Sequence, residues 1–216
     1  MAKRDTKYPV PDSIKKVYNE AVGLMEDDPV SARGIIEGLL ELEPDEPRLL
    51  NSLGNTYFVE GELETAEEYF LEALKRGPDF SIPNSNLSSV YSKMGRYEES
   101  AKYAARAIKC FKASAIPWNT LGIYYARSGD YKTALEYFLA SYSYDGDYLV
   151  AAYNAACSYA VLGEPDKALS YLEKALEDRR YVKATETDPD LDSLRDITRF
   201  REMFAAAKSE LDPKGD

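Results

Sequence analysis

An interval of 34 residues constrains this chain more than any other feature of its sequence. The stretch NSLGNTYFVEGELETAEEYFLEALKRGPDF carries Leu53, Gly54, Tyr57, Gly61, Ala66, Phe70 and Ala73. Two such intervals further on, WNTLGIYYARSGDYKTALEYFLAS carries Leu121, Gly122, Tyr125, Gly129, Ala134, Phe138 and Ser141. The copy between them has Leu87, Ser88, Tyr91, Gly95, Ala104 and Ala107, and a later one has Ala155, Ala156, Tyr159, Gly163, Ala168 and Ala175. A fixed period of this length belongs to chains that stack one small structural unit on the next.

Within a unit, the spacing is that of two helices. Leu50, Leu53, Gly54 and Tyr57 fall on one stripe of a first helix, and Ala66, Phe70 and Ala73 on one stripe of a second. Gly54 and Ala66 have almost no side chain, so the helices approach closely there, while Tyr57 and Phe70 fill the space that is left. Gly61 begins the turn. In this register the units run 47–80, 81–114, 115–148 and 149–182. A first unit, 14–46, fits if its turn is one residue shorter, with Ile14, Val17, Ala21 and Leu24 on one stripe and Ala32, Ile36 and Leu39 on the other. Drift at the end of an array is expected, because a terminal unit has one neighbour to pack against. Residues 1–13, with Pro9 and Pro11, read as an extended lead-in.

Residues 183–216 break the period and read as a linker, a closing helix and a tail. Thr198 is the expected N-cap of that helix, and Phe200, Met203, Phe204, Ala207 and Leu211 share its apolar face.

These residues resemble the tetratricopeptide repeat family, whose unit has W-x2-L-G-x2-Y in its first helix and then A-x3-F and a proline. The copy at 115–148 matches even the tryptophan, as Trp118. The resemblance implies an all-α, right-handed superhelical solenoid of about five helix-turn-helix repeats, closed by a C-terminal helix, with a concave wall built from the first helices. The closing segments NAACSYAVLGEPDKAL and DPDLDSLRDITRF look like those of bacterial members of the family.

Composition excludes several classes of function. The chain has 27 basic and 38 acidic residues and a formal charge of -11, so it repels phosphate backbones and anionic membranes. No run approaches the length of a membrane-spanning helix, and the N-terminus lacks the apolar core of a signal peptide, so neither membrane insertion nor secretion is expected and a cytoplasmic home is the default. There is no histidine. That removes the commonest general base near neutral pH and the commonest transition-metal ligand. Cys110 and Cys157 are too few and too far apart for paired zinc ligands. With no phosphate loop and no nucleophile motif, we expect neither a catalytic site nor a cofactor.

Binding is expected instead on the first-helix positions that the core stripe leaves unused. The sixth place of successive repeats holds Asn19, Ser52, Asn86, Thr120 and Asn154, and neighbouring places add Asn51, Asn55, Ser85, Ser89 and Asn119. An asparagine can donate to a carbonyl and accept from an N–H at once, which suits the backbone of an extended peptide. Some members of the family use a similar asparagine ladder. Lys93, Arg127 and Arg48 could draw an acidic ligand to the same wall. The carboxylate clamp of tetratricopeptide co-chaperones is a different matter, because its places hold Asn51, Asn55, Asn86, Ile116 and Thr120 and lack all three cations. Tyrosines on the second helices, Tyr69, Tyr103, Tyr137 and Tyr171, are expected to pack against the neighbouring repeat. Tyr142, Tyr144, Tyr148 and Tyr153 form a candidate patch for a partner or for self-association.

The reading is a non-enzymatic scaffold or adaptor that binds an extended segment of a partner protein in its groove. The alternative is a structural protein that assembles with itself through its terminal repeats or its closing helix.

Overall fold

The computed structural model describes residues 8–110 and 114–211, the last of these by its backbone alone. Most of the lead-in and the end of the tail lie outside the described residues, as does the side chain of Leu211, which was expected on the closing helix's apolar face.

The described elements are all helical. Five consecutive pairs form antiparallel hairpins of the kind the stripes predict: α1 (Lys15–Leu24) with α2 (Pro29–Leu42), α3 (Pro47–Glu60) with α4 (Leu63–Arg76), α5 (Ser81–Lys93) with α6 (Tyr97–Cys110), α7 (Ala115–Arg127) with α8 (Tyr131–Tyr144), and α9 (Leu149–Val161) with α10 (Pro165–Ala175). Then follow α11 (Arg179–Thr187), a 3-10 segment (Pro189–Leu194) and α12 (Thr198–Leu211). The chain divides into two compact units, 1–120 and 121–216, and the division falls inside α7.

In the first unit, α2 packs on both α1 and α3, α4 on α3 and α5, and α5 also meets α3 directly. Ile36, Leu39, Leu49 and Leu53 make one buried cluster with Ile14 and Ala21, and Ala66, Phe70, Leu87, Val90 and Tyr91 make another. The approach of α3 to α4 is set by a ring against a glycine. A Cβ placed on Gly54 would lie 2.5 Å from Cε1 of Phe70, nearer than two carbons can come. The turn that follows needs Gly61 for another reason, since its φ of 86° is left-handed and a side chain there would be strained. Tyr8 of the lead-in is folded back on this unit: its ring meets that of Phe80 at 5.2 Å, and Arg48 donates to its carbonyl through Nε.

The second unit repeats the device. A Cβ on Gly122 would come within 2.4 Å of Phe138. Ala152, Ala156, Leu169 and Leu172 of α9 and α10 form a cluster with Leu191, Leu194 and Phe200. Closure is therefore shared. Phe200 is buried, with Met203 and Phe204 beside it, as expected of a closing helix. Leu191 and Leu194 are buried just as deeply, on a segment expected to be a linker. Two further corrections concern this region. Val182, expected to end the fifth repeat, lies inside α11. Thr198 is the first residue of α12 rather than its cap, because the carbonyl of Ile197 accepts the first helical bond, from Arg201 N.

Gly54→Ala is expected to destabilise the first unit by about 1–3 kcal/mol through overpacking against Phe70, outweighing the roughly 0.5–1 kcal/mol that alanine gains over glycine inside a helix. Because the clash is with one ring, Phe70→Leu in the same chain should relieve part of it. A urea-unfolding cycle over the two single variants and the double variant checks this. Simple additivity would contradict the packing.

Candidate functional site

The first unit brings three of the expected asparagines together. Asn51 and Asn55 lie one turn apart on α3, and Asn86 lies on α5, the next first helix. Asn86 Nδ2 donates to Asn51 Oδ1 and to Asn55 Oδ1, both at 2.9 Å. Both amide hydrogens of Asn86 are thereby engaged, which fixes the orientation of its side chain. Asn51 is buried, whereas Asn55 and Asn86 are half-buried and reach solvent. The amides form a cluster spanning two repeats.

The rest of the expected column divides by burial. Asn19 is exposed on α1, and Asn154 is half-buried on α9. Ser52 and Thr120 are buried and bonded within the fold: Ser52 Oγ lies 3.0 Å from the hydroxyl of Tyr18, and Thr120 Oγ1 donates to the carbonyl of Ile116 at 3.0 Å. Asn119 is buried as well. Ser89 is half-buried, with its hydroxyl on the carbonyl of Ser85 at 3.3 Å.

The cations also separate. Lys93 is exposed, with Nζ 4.3 Å above the ring of Phe58. Arg48 is engaged by the lead-in and by the ring of Phe80, 5.2 Å away, and so is not displayed as a free arm of the wall. Arg127 is exposed in the second unit.

The tyrosines resolve mostly into structure. Tyr57 stacks on Tyr69, Tyr91 on Tyr103, Tyr125 on Tyr137 and Tyr159 on Tyr171, with ring centroids 5.3 to 5.6 Å apart. The second-helix column thus packs first inside its own hairpin. It reaches the preceding repeat as well, as where Tyr171 meets Tyr142 edge-on. The hydroxyl of Tyr91 donates to Glu67 at 2.6 Å, and burial together with that carboxylate pushes its pKa up. The expected surface patch is not one patch: Tyr153 is buried and stacked on Tyr181, while Tyr144 is exposed.

A second site lies in the second unit, and sequence reasoning missed it. A cavity of about 160 Å³ is lined by Arg127, Tyr131, Tyr153, Asn154, Asp188 and Asp190, with Cys157 at its wall. Asp188 is held on all sides, since Oδ1 accepts from Asp190 N at 3.0 Å and Oδ2 accepts from Tyr153 at 2.8 Å and from Cys157 Sγ at 3.6 Å. Asp190 accepts a longer bond from the Tyr131 hydroxyl, 3.4 Å. Burial and the charge of Asp188 push the Asp190 pKa up, and burial and both carboxylates push the Cys157 thiol up. A thiol so held is a poor nucleophile. The sequence signal for the site was the Asp-Pro-Asp run at 188–190, read there only as part of a closing segment.

Among the described residues, no group of three or more carboxylates and thiols is placed to hold a metal ion, and no helix is long and apolar enough to cross a membrane.

Tetratricopeptide repeat models match residues 27–79 and 86–148, and a further one matches 150–177. No curated protein sequence matches. Among solved structures, that of PilF from Pseudomonas aeruginosa is similar with a TM-score of 0.73 and 17% identity, over 92% of this chain and 90% of PilF. MamA from Desulfovibrio magneticus RS-1 is similar with a TM-score of 0.63 and 17% identity, over 80% of this chain and 98% of that one. YrrB, described as a tetratricopeptide protein with an unusual peptide-binding site, is similar with a TM-score of 0.57 and 23% identity, over 91% of this chain and 96% of YrrB. At these identities the likeness is one of fold.

The raised pKa of Asp190 has a consequence for stability. A carboxyl group whose folded pKa lies above its unfolded value contributes stability at low pH that is lost as pH rises through the folded pKa. Above its folded pKa, Asp190 carries its charge beside Asp188, with Tyr131, Tyr153, Cys157 and Arg127 around the same cavity. Asp190→Asn is therefore expected to raise the urea midpoint at pH 7, with the advantage vanishing in acid where Asp190 is protonated. An advantage that is the same at both pH values would show that charge is not its origin.

Proposed function

The chain belongs to the tetratricopeptide repeat family, and from that premise we propose that it is a non-enzymatic scaffold or adaptor whose first-helix wall holds an extended segment of a partner protein. Proteins of this fold serve as binding surfaces far more than as catalysts, and the fold alone does not choose the ligand. The choice rests on one observation: the Asn86 amide nitrogen spans Asn51 and Asn55.

That bridge leaves complementary groups on neighbouring side chains. Asn86 keeps its carbonyl oxygen to accept from a peptide N–H, and Asn55 keeps its amide nitrogen to donate to a peptide carbonyl. Both belong to half-buried side chains, so part of the cost of desolvating them is met before the ligand arrives. The two repeats hold the amides on helices rather than loops, and a wall already built leaves most of the ordering cost with the ligand. Bonds of this kind contribute about 1 kcal/mol each, so several must act together along the segment. Asn19 offers a further amide in the first repeat, and exposed Lys93 offers a charge. Backbone recognition of this sort is tolerant of side chains, which suits an adaptor.

Selection of displayed random peptides on the wild-type chain tests the reading. Peptides so obtained should bind an Asn55→Ala, Asn86→Ala double variant about tenfold more weakly or worse, as expected for two or more lost hydrogen bonds. Equal binding by the variant, at equal stability, would move the site elsewhere, and failure to select any peptide would count against peptide recognition altogether.

A further inference from the structure

We propose that the cavity in the second unit receives a lysine or arginine side chain of a protein ligand. This rests on the protein-binding reading and adds to it the chemistry of one ligand residue.

Size argues first. At about 160 Å³ the space is well short of the roughly 300–1,000 Å³ of pockets that enclose whole small molecules. It is comparable to engineered cavities of about 150 Å³ that take a single benzene-sized group. One side chain fills it.

Charge and chemistry argue next. Asp188 is fully engaged by Asp190 N, Tyr153 and Cys157, and so acts as a fixed negative charge on the wall. Asp190 has a long bond from Tyr131 and a pKa raised by burial and by Asp188, so its ionised form is under-compensated. A cation entering the cavity would relieve both carboxylates. Tyr131 and Tyr153 line the same space, and both hydroxyls donate to the carboxylates and hold them in place for a cation. The wall lacks the ligand set that a metal ion requires. An organic cation on a flexible stem fits, with its methylenes along Phe138 and Ile123 and its head at Asp190.

Arg127 also lines the cavity and carries the opposite charge. Two carboxylates outweigh one guanidinium, and the formal charge of -11 for the whole chain attracts basic segments over distance. Arg127 tempers the attraction and makes it depend on where the basic group sits.

The test uses n-butylammonium as the lysine mimic and n-butanol as its uncharged counterpart, each titrated into the full chain and followed by ¹H–¹⁵N NMR. Butylammonium should give saturable shifts at the amides of Asn154, Ser158 and Asp190, and butanol should not. Asp190→Asn should weaken the response about tenfold, the loss expected when a hydrogen bond to a charged group is removed. Arg127→Ala, at an exposed position, should strengthen it. Absence of saturable shifts, equal shifts with butanol, or an undiminished response in Asp190→Asn would each overturn the proposal. The Asn55→Ala, Asn86→Ala double variant separates the two readings, because it should weaken peptide binding and leave the butylammonium response intact. A response that persists when no peptide binds supports the cavity and removes the groove, and peptide binding without any response does the reverse.

Discussion

A phenyl ring set against a missing side chain fixes the approach of two helices in one hairpin of each unit. Phe70 over Gly54 and Phe138 over Gly122 bring the two helices of a hairpin closer than any other residue would permit. Everything on the first helix takes its position from that approach. With α3 seated on α4, the next hairpin's α5 meets α3 directly, and Asn86 arrives within hydrogen-bonding distance of Asn51 and Asn55. Stacked tyrosine pairs, Tyr57 on Tyr69 and Tyr125 on Tyr137, join the two helices of the same hairpins. Packing at the base of the hairpin thus becomes a polar arrangement on its face.

The two candidate sites use opposite means. In the first unit the amides are neutral, mutually bonded and indifferent to the side chains of a ligand, which suits recognition of backbone. In the second, half-buried carboxylates and rings line a small cavity, for which a cationic side chain is the proposed occupant. Hydrogen bonds to neutral backbone discriminate little among ligands, whereas a charged pocket discriminates sharply. Cys157 and Tyr153 belong to the support of the anchor: both bond to Asp188 and are buried.

The fold was legible in the sequence because the period carries it. Gly54, Phe70 and Gly61 have roles that follow from spacing alone, and the structure gives them those roles. The amide cluster was legible for a related reason. Asn51 and Asn55 lie one helical turn apart, and Asn86 lies 35 and 31 residues beyond them, close to one period, so placing repeats in register already places these residues near one another. The burial of Ser52 and Thr120 was not legible, because the repeat pattern marks which stripe faces the partner helix but not how far neighbouring helices cover its flanks. Nor was the Asp188 and Asp190 cavity. Tyr131 and Asp190 are 59 residues apart, which matches no multiple of the period, and their meeting depends on the 3-10 segment folding back on α9. Aperiodic closing segments carry no internal copy to read them against.

The side-chain amide signals of Asn51, Asn55 and Asn86 in a ¹⁵N NMR spectrum, recorded with and without a selected peptide, test most directly whether the wall of α3 and α5 is the binding surface. Shifts of these signals on saturation, with those of distant side-chain amides unmoved, are the predicted result. A peptide that saturates the protein and leaves all three signals in place would contradict it.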